Sequence, residues 1–309
     1  MFSLLISIFT SQNPNKYWLY NLLFLGILLL LIYWYKNHNL EKFHEGFTQD
    51  SKFMLKIDDG IYDDFYVKIY DTLMQPKPRS DYEITNIIEK TKPTNKSVFL
   101  DVGSGTGDLV NGLNEIGYNA YGVELSNAMM EHSLKKYPDI SVKNGNALEP
   151  MLYEPNTFTH ILCTGMTIYQ IEDKQMFFKN CRSWLIPNGY LVLNLVDRTG
   201  FDTIIPAGKP ALLKNPQKYA EKRITDTIVD FIDFDYKAGY KFNDKKVVFK
   251  ETFTDGLSRN VRQNEMTMFM EDIPDILAMV NRSGFKYIDR RDQSSFNGDE
   301  KSYLYFFQA

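Results

Sequence analysis

The run FLDVGSGTGD, residues 99–108, constrains this chain more than any other stretch. An apolar strand-like segment ends in Asp101 and passes at once into Gly103, Gly105 and Gly107. Glycine belongs where the backbone must take a positive φ, or where a ligand has to approach main-chain atoms without meeting a Cβ. A strand that opens into such a loop is the edge of a sheet built to hold something, so the first question is what sheet surrounds it.

The rest of the sequence answers with an alternation. Helix-like apolar spacing runs through IYDDFYVKIYDTLM and DYEITNIIEK, and VFLDV is strand-like. LVNGLNEIG predicts a short helix closed by Gly117, AYGVEL a strand, AMMEHSLKKY a helix and ISVKNGNA a strand. THILCTG, KQMFFKNCRSWL and YLVLNLV continue the pattern as strand, helix and strand. Strands separated by helices of about ten residues imply right-handed βαβ units and a doubly wound parallel sheet covered on both faces.

In that setting the glycine loop joins the first sheet strand to its helix, and Glu124 in YGVELS ends the second strand. This is how doubly wound folds hold a nucleoside-bearing cofactor at the carboxyl edge of the sheet. The two oxygens of Glu124 can accept from both ribose hydroxyls. A dinucleotide site calls for G-x-G-x-x-G so that backbone N–H groups meet a pyrophosphate. Here the spacing is G-x-G-x-G, with Asp101 before the loop and Asp108 directly after it, so a cationic ligand suits the loop better.

LDVGSGTGD followed by YGVELS resembles the first two motifs of the class I S-adenosylmethionine-dependent methyltransferases, and the likeness runs from about Tyr62 to Val196. The resemblance implies a Rossmann-like methyltransferase sheet and S-adenosyl-L-methionine as cofactor. It also implies that Asp101 orients the loop and the methionine amino group, that Gly103, Ser104, Gly105, Thr106 and Gly107 pack along the cofactor, that Glu124 holds the ribose, and that Leu125 flanks the adenine. The family's Gly-Asp-Ala after the third strand stands here as Gly145-Asn146-Ala147, with Asn146 accepting from the adenine amine without charge. Its Phe-Asp before the fourth strand is Phe158-Thr159, a His-His-Leu-Pro-Asp run is replaced around Tyr169 and Gln170, and its Leu-x-Pro-Gly-Gly turn has Tyr190 as the second glycine.

Methyl transfer from a sulfonium is an in-line displacement, in which holding the acceptor close and aligned supplies most of the rate. A general base is needed only when the acceptor must lose a proton first. No histidine falls at a carboxyl-terminal strand edge, and His160, at the start of an apolar strand, reads as a core residue. The acceptor is therefore expected to be an amine or a carboxylate, or else Tyr169 or Asp197 removes a proton. Tyr66 and Tyr70, four residues apart, either close over the cofactor or form a core-facing stripe. After the fifth strand, TIVDFIDFDYKAGYKF, KKVVFKETFTD and NVRQNEMTMFM predict an antiparallel insertion over about 200–270, before the helix IPDILAMVNRSG and the strands FKYIDR and SYLYFFQ. Relatives that act on sugars, amines and other small molecules roof the active site with such an insert, and Asp197 and Arg198 at the mouth, with Arg262 and Glu265 on the insert, are the candidate substrate contacts.

The amino-terminal region differs in kind. YWLYNLLFLGILLLLIYWY, residues 17–35, is uncharged, aromatic at both ends and long enough to cross a hydrocarbon core of roughly 30 Å as a helix. A single transmembrane helix is expected there, after a short tail over 1–16 and before a polar tether over 36–58. More lysines follow it than precede it, which places the domain over 59–309 on the cytoplasmic side of a membrane. With a formal charge of −4 and no basic block, the sequence offers no electrostatic reason to expect a nucleic-acid partner. Cys163 and Cys181 alone can supply neither a disulfide framework nor a four-ligand zinc site, so reduced thiols and no metal are expected. The expected protein is a membrane-held methyltransferase acting on a small molecule or a lipid. A tethered binding protein that retains the fold without turnover, and a nicotinamide-dependent oxidoreductase, are the competing expectations.

Overall fold

The computed structural model describes residues 17–38, 51–209 and 216–309. The expected tail over 1–16, residues 39–50 of the expected tether and residues 210–215 of the insertion lie outside the described residues. The chain divides into two units, residues 1–46 and 47–309.

The first unit contains one helix, α1 (Tyr17–His38). Its side chains are described over residues 22–33, where every leucine and isoleucine is exposed. Among the described residues no helix is long and apolar enough to cross a membrane, so the span expected over 17–35 is not supported.

The second unit carries the expected alternation on a seven-stranded sheet. Its elements are β2 (Val98–Val102), α4 (Asp108–Glu115), β3 (Asn119–Glu124), α5 (Asn127–Lys136), β4 (Ser141–Asn144), β5 (Phe158–Cys163), α6 (Lys174–Trp184) and β6 (Leu185–Val196), followed much later by β11 (Lys286–Asp292) and β12 (Ser302–Gln308). The strand order is β11-β12-β6-β5-β2-β3-β4. Pairing is parallel except for β12, which runs antiparallel to both its neighbours. The chain moves from β2 outward through β3 and β4, then returns to the other side of β2 through β5. The crevice above β2 is thus the topological switch point at which open α/β sheets bind ligands.

Burial explains the order of the strands. The central strands are nearly continuous apolar runs, as strands covered on both faces must be, and Phe99, Leu100, Ile161, Leu162, Val192 and Leu193 are fully buried. Thr159, where relatives carry Asp, fastens β5 to β2: its Oγ1 accepts from Val98 N at 2.8 Å and lies 2.9 Å from Val98 O. His160 is a core residue, as expected. It stacks between Phe99 and Tyr190, and burial pushes its pKa down to about 4.

The insertion forms a second sheet from β7 (Asp226–Asp230), β8 (Phe234–Asn243), β9 (Lys246–Asp255) and β10 (Val261–Phe269). Alternation is strict: odd-numbered residues of β9 and even-numbered residues of β10 are buried while their neighbours are not. A fifth strand, β1 (Phe53–Ile57), pairs parallel with β10 at the edge. This corrects the carboxyl end of the expected tether, since residues 53–57 are sheet. FMLKI has the period of a strand but carries Lys56 among its apolar residues, which is why it reads as polar linker.

Between β1 and the seven-stranded sheet run a 3₁₀ turn (Asp58–Ile61), α2 (Asp64–Met74) and α3 (Pro76–Thr91). Helix α2 is capped by Asp63, whose side chain accepts from Tyr66 N, and Pro76 at the start of α3 needs no N–H there. Between β10 and β12 lie α7 (Ile273–Arg282) and the short α8 (Ser294–Asn297). Helix α8 follows from no apolar period in its sequence.

Candidate active site

Two cavities meet above the carboxyl ends of the strands. The first, of about 450 Å³, is lined by the loop after β2, the end of β3, residues 145–148 and the loop after β5. Of the residues expected at the cofactor, Asp101, Gly103, Ser104, Gly105, Thr106, Glu124, Leu125, Asn146 and Ala147 line it, and Gly107 does not.

The three glycines turn out to do different things. All have positive φ, at +70°, +54° and +84°. A Cβ on Gly103 would come within 2.5 Å of Thr167 Cγ2, and one on Gly107 within 2.6 Å of Ile140 Cδ1. These two are packing glycines. At Gly105 a Cβ would meet nothing within 4 Å, so the open side of the loop is there.

Glu124 holds the loop from the neighbouring strand. Its Oε2 accepts from Gly105 N and its Oε1 from Ser126 N, each at 2.9 Å. Each oxygen keeps acceptor capacity for a hydroxyl. Burial raises its pKa, against the backbone N–H groups of Ser126, Gly105 and Leu125, which lower it. Asp101 is buried at the foot of the cavity, where burial and then the nearby Glu83 push its carboxyl well above the usual range. Such a group gains most from a cationic ligand, because an opposite charge favours its ionised form. Asn146 Oδ1 accepts from Leu148 N, which holds the following turn.

Asp108 behaves differently from the expectation that its charge faces the ligand. Lys136 donates to both its oxygens at 3.0 and 2.9 Å, and Tyr137 Oη donates to Oδ1 at 2.7 Å. Lys136 also pairs with Asp71 on α2, and Thr106 Oγ1 lies within hydrogen-bond distance of Asp71 and Asp108. The charge of Asp108 is thus spent on fastening α2 to the glycine loop.

The second cavity, of about 540 Å³, lies between α2, the end of β6, the loop at 201–206 and the inner face of the five-stranded sheet. Its wall combines Tyr66, Tyr240, Phe201 and Phe249 with the carboxylates Glu251 and Asp202. Glu251 is buried, and its Oε1 accepts from Tyr66 Oη at 2.9 Å and Tyr236 Oη at 2.6 Å while Asn264 donates to Oε2. Tyr62, Tyr70, Arg79, Gly165, Gln170 and Met266 line both cavities. Both readings of the tyrosine pair hold in part: Tyr70 reaches both cavities, and Tyr66 is a buried residue bound to the roof.

The residues expected to contact substrate or move protons are placed elsewhere. Tyr169 is fully buried, accepts from Val196 N and donates to Val196 O, and lines neither cavity. Asp197 accepts from Thr199 N and Oγ1 beside Lys301. Arg198 pairs with Asp272 and Asp244, and Glu265 with Lys250 on the outer sheet face. Arg262 is buried on the inner face of the roof, where Nη1 donates to both oxygens of Asp63 at 2.9 Å and Nη2 to Ile61 O, so it staples the segment before α2 to β10. None of these four lines either cavity. Sequence reasoning overlooked Tyr62, Arg79, Thr164 and Gln170. No local pattern marks them, although Arg79 stands in PKPRSD, just before the apolar period of its helix begins.

Residues 100–193 match a family model described as a methyltransferase domain. This region spans β2 to β6 and includes the glycine loop, Asp101 and Glu124. Residues 100–193 thus form a methyltransferase domain. Its cofactor is S-adenosyl-L-methionine, and the site fits that cofactor: an open backbone at Gly105, paired acceptors on Glu124 and a buried acid for the ammonium. No curated protein matches the sequence. Among solved structures, an S-adenosylmethionine-dependent methyltransferase from Clostridium acetobutylicum is similar, with 19% identity, 79% of this chain and 97% of that chain covered, and a TM-score of 0.59. The CcbJ methyltransferase from Streptomyces caelestis is similar at 16% identity, with coverages of 82% and 99% and a TM-score of 0.62. CalS10, an amino pentose methyltransferase from Micromonospora echinaspora, is similar at 14% identity, with coverages of 75% and 90% and a TM-score of 0.53. At these identities the likeness is one of fold.

Proposed function

We propose that this protein transfers the methyl group of S-adenosyl-L-methionine to a polar small molecule held in the second cavity. The observation that carries the reading is the shared wall. Tyr62, Tyr70, Arg79, Gly165, Gln170 and Met266 line both cavities, so a donor in one and an acceptor in the other would meet there.

The cofactor supplies an electrophilic methyl group. The chain's own residues supply position: Asp101, the glycine loop and Glu124 fix the donor, and the roof encloses the acceptor away from water, which favours an in-line approach. Among the described residues the shared wall contains no carboxylate and no imidazole, and burial raises the hydroxyl pKa of Tyr62 and Tyr70. A group that must lose a proton to become nucleophilic finds no base there. The acceptor is therefore an amine in its free-base form or a carboxylate. An amino pentose, named for the similar CalS10, has the size, hydroxyls and amine that this cavity suits.

The test is a transfer screen on the full chain with methyl-labelled cofactor and amines, carboxylic acids, alcohols and phenols as acceptors. Label entering amines or acids supports the reading, and transfer to alcohols or phenols alone would overturn the acceptor class. Binding of S-adenosylhomocysteine without transfer to any acceptor would support a binding protein instead. Attachment to a membrane surface through the exposed apolar side chains of α1 is part of the same proposal, and fractionation of cells expressing the chain with and without residues 1–46 tests it.

A further inference from the structure

Glu251 stands on the wall of the acceptor cavity, only 1% exposed, and among the described residues no lysine or arginine pairs with it. Its three donors are neutral. Tyr66 and Tyr236 give their hydroxyls to Oε1, and Asn264 gives its amide to Oε2 at 3.1 Å. Arg262, on the same inner face of the roof, is committed elsewhere: Nη1 holds Asp63, and Nε donates to Asn264 Oδ1 at 2.9 Å, which turns the Asn264 amide toward Glu251. The cations on the cavity wall are committed too, Arg79 to Glu83 and Lys209 to Asp202 at 2.8 Å.

This carboxylate is therefore held in place but not neutralised, a costly state for a buried charge. Burial raises its pKa, and its donors oppose the rise only in part. An opposite charge brought within reach favours the ionised form. With a single donor at Oε2, that oxygen can accept a second.

The surroundings suit the same partner. Tyr66, Phe201, Tyr240 and Phe249 share the cavity wall, and the negative faces of aromatic rings attract an ammonium. Strand register sets the carboxylate near the meeting point of the cavities. Glu251 lies opposite Asn264, and Met266 follows two residues later on the same face of β10. Diagonal neighbours of this kind are roughly 7–8 Å apart, and Met266 belongs to the wall that both cavities share.

We propose that Glu251 selects the acceptor, as a carboxylate site for the amino group of an alkylamine, so that the acceptor is an amine rather than a carboxylic acid. The inference rests on the methyltransferase reading for calling the ligand an acceptor, but its test does not. An amine has N–H groups for Oε2 and, as the free base, a lone pair for the methyl carbon. A carboxylate in the same place would meet a like charge. Glu251 makes and breaks no covalent bond in this role.

The experiment titrates the full chain with three probes of similar size, benzylamine, benzyl alcohol and benzoate, by ligand-observed nuclear magnetic resonance. The wild type should bind benzylamine about tenfold more tightly than benzyl alcohol, and benzoate most weakly. Glu251→Gln should bring benzylamine and benzyl alcohol close to equal. Benzylamine should also shift the methyl resonances of Met266 and Met268 in the wild type, which locates the ligand even if Glu251→Gln does not fold. Four results would each overturn the proposal: equal binding of benzylamine and benzyl alcohol, binding of neither, unshifted methionines, or a preference that survives Glu251→Gln. The titration needs no cofactor, so an amine preference that stands while S-adenosylhomocysteine fails to bind would sink the methyltransferase reading alone.

Discussion

The two cavities are close in volume, about 450 and 540 Å³, but they are assembled in opposite ways. The cofactor cavity takes its glycine loop, Asp101 and Glu124 from the ends of two adjacent strands, β2 and β3. The acceptor cavity is made of side chains from α2, β6, the roof strands and the segments flanking β12, brought together only by the tertiary fold. A site of the first kind is sensitive at single positions. A site of the second kind spreads its specificity over many residues, each of small effect.

The largest expected effect belongs to Gly105→Arg. The side chain enters the open side of the loop, so S-adenosylhomocysteine affinity should fall at least about a hundredfold by calorimetry, while the positive φ of Gly105 costs about 1 kcal/mol and lowers the melting temperature by only a few degrees. A comparable loss from any single aromatic in the acceptor cavity would break the contrast. Next comes a pH dependence from Asp101. Its raised pKa means that the folded, ligand-free protein keeps a proton that the unfolded chain has lost, so stability falls as pH rises from the ordinary carboxylate range toward the folded value. Only the ionised form attracts a cation, so S-adenosylhomocysteine affinity should rise over the same window. Titration calorimetry across that window should show the rise in the wild type and none in Asp101→Asn.

Lys136→Met should act on stability. It leaves the buried Asp108 and the half-buried Asp71 without their cation, a loss of about 2 kcal/mol once partial exposure is allowed for. Calorimetric melting should then drop by about 5 °C. An unchanged melting temperature would mean that α2 is not fastened through this lysine. The smallest effect is expected from Tyr169→Phe, which removes the hydroxyl that bridges the N–H and C=O of Val196. It should cost about 1 kcal/mol of stability and leave methyl transfer unchanged. A large fall in turnover would restore Tyr169 as a proton-transfer residue.

The same contrast explains what could be read from the sequence. Asp101, Gly105 and Glu124 stand within one βαβ unit, so spacing along the chain nearly equals spacing in space. Leu125 and Asn146 follow from the same register, one and two strand ends further on. The acceptor cavity has no such registration. Arg262 and Glu265 were expected at the substrate because an insertion over the site must have a ligand face, but charge alone does not show which face that is. Strand parity does: Arg262 points inward and is taken by Asp63, whereas Glu265 points outward. Tyr62 and Gln170 reach the cavity only because α2 and the turn at 167–170 meet there, a tertiary fact without a local signature. Residues 53–57 were misread for a similar reason: a five-residue strand with a lysine in it is recognisable only beside its partner.

That strand sets a schedule for folding. Phe53 pairs with Val261, roughly two hundred residues further along the chain, and contacts of such separation cannot form until the intervening chain exists and its closure entropy has been offset. The βαβ units that carry the glycine loop need no residue beyond β6 to pair β2 with its neighbours. During synthesis the glycine-loop half can therefore take shape while the edge strand waits for β10, and β12 joins β6 only after that.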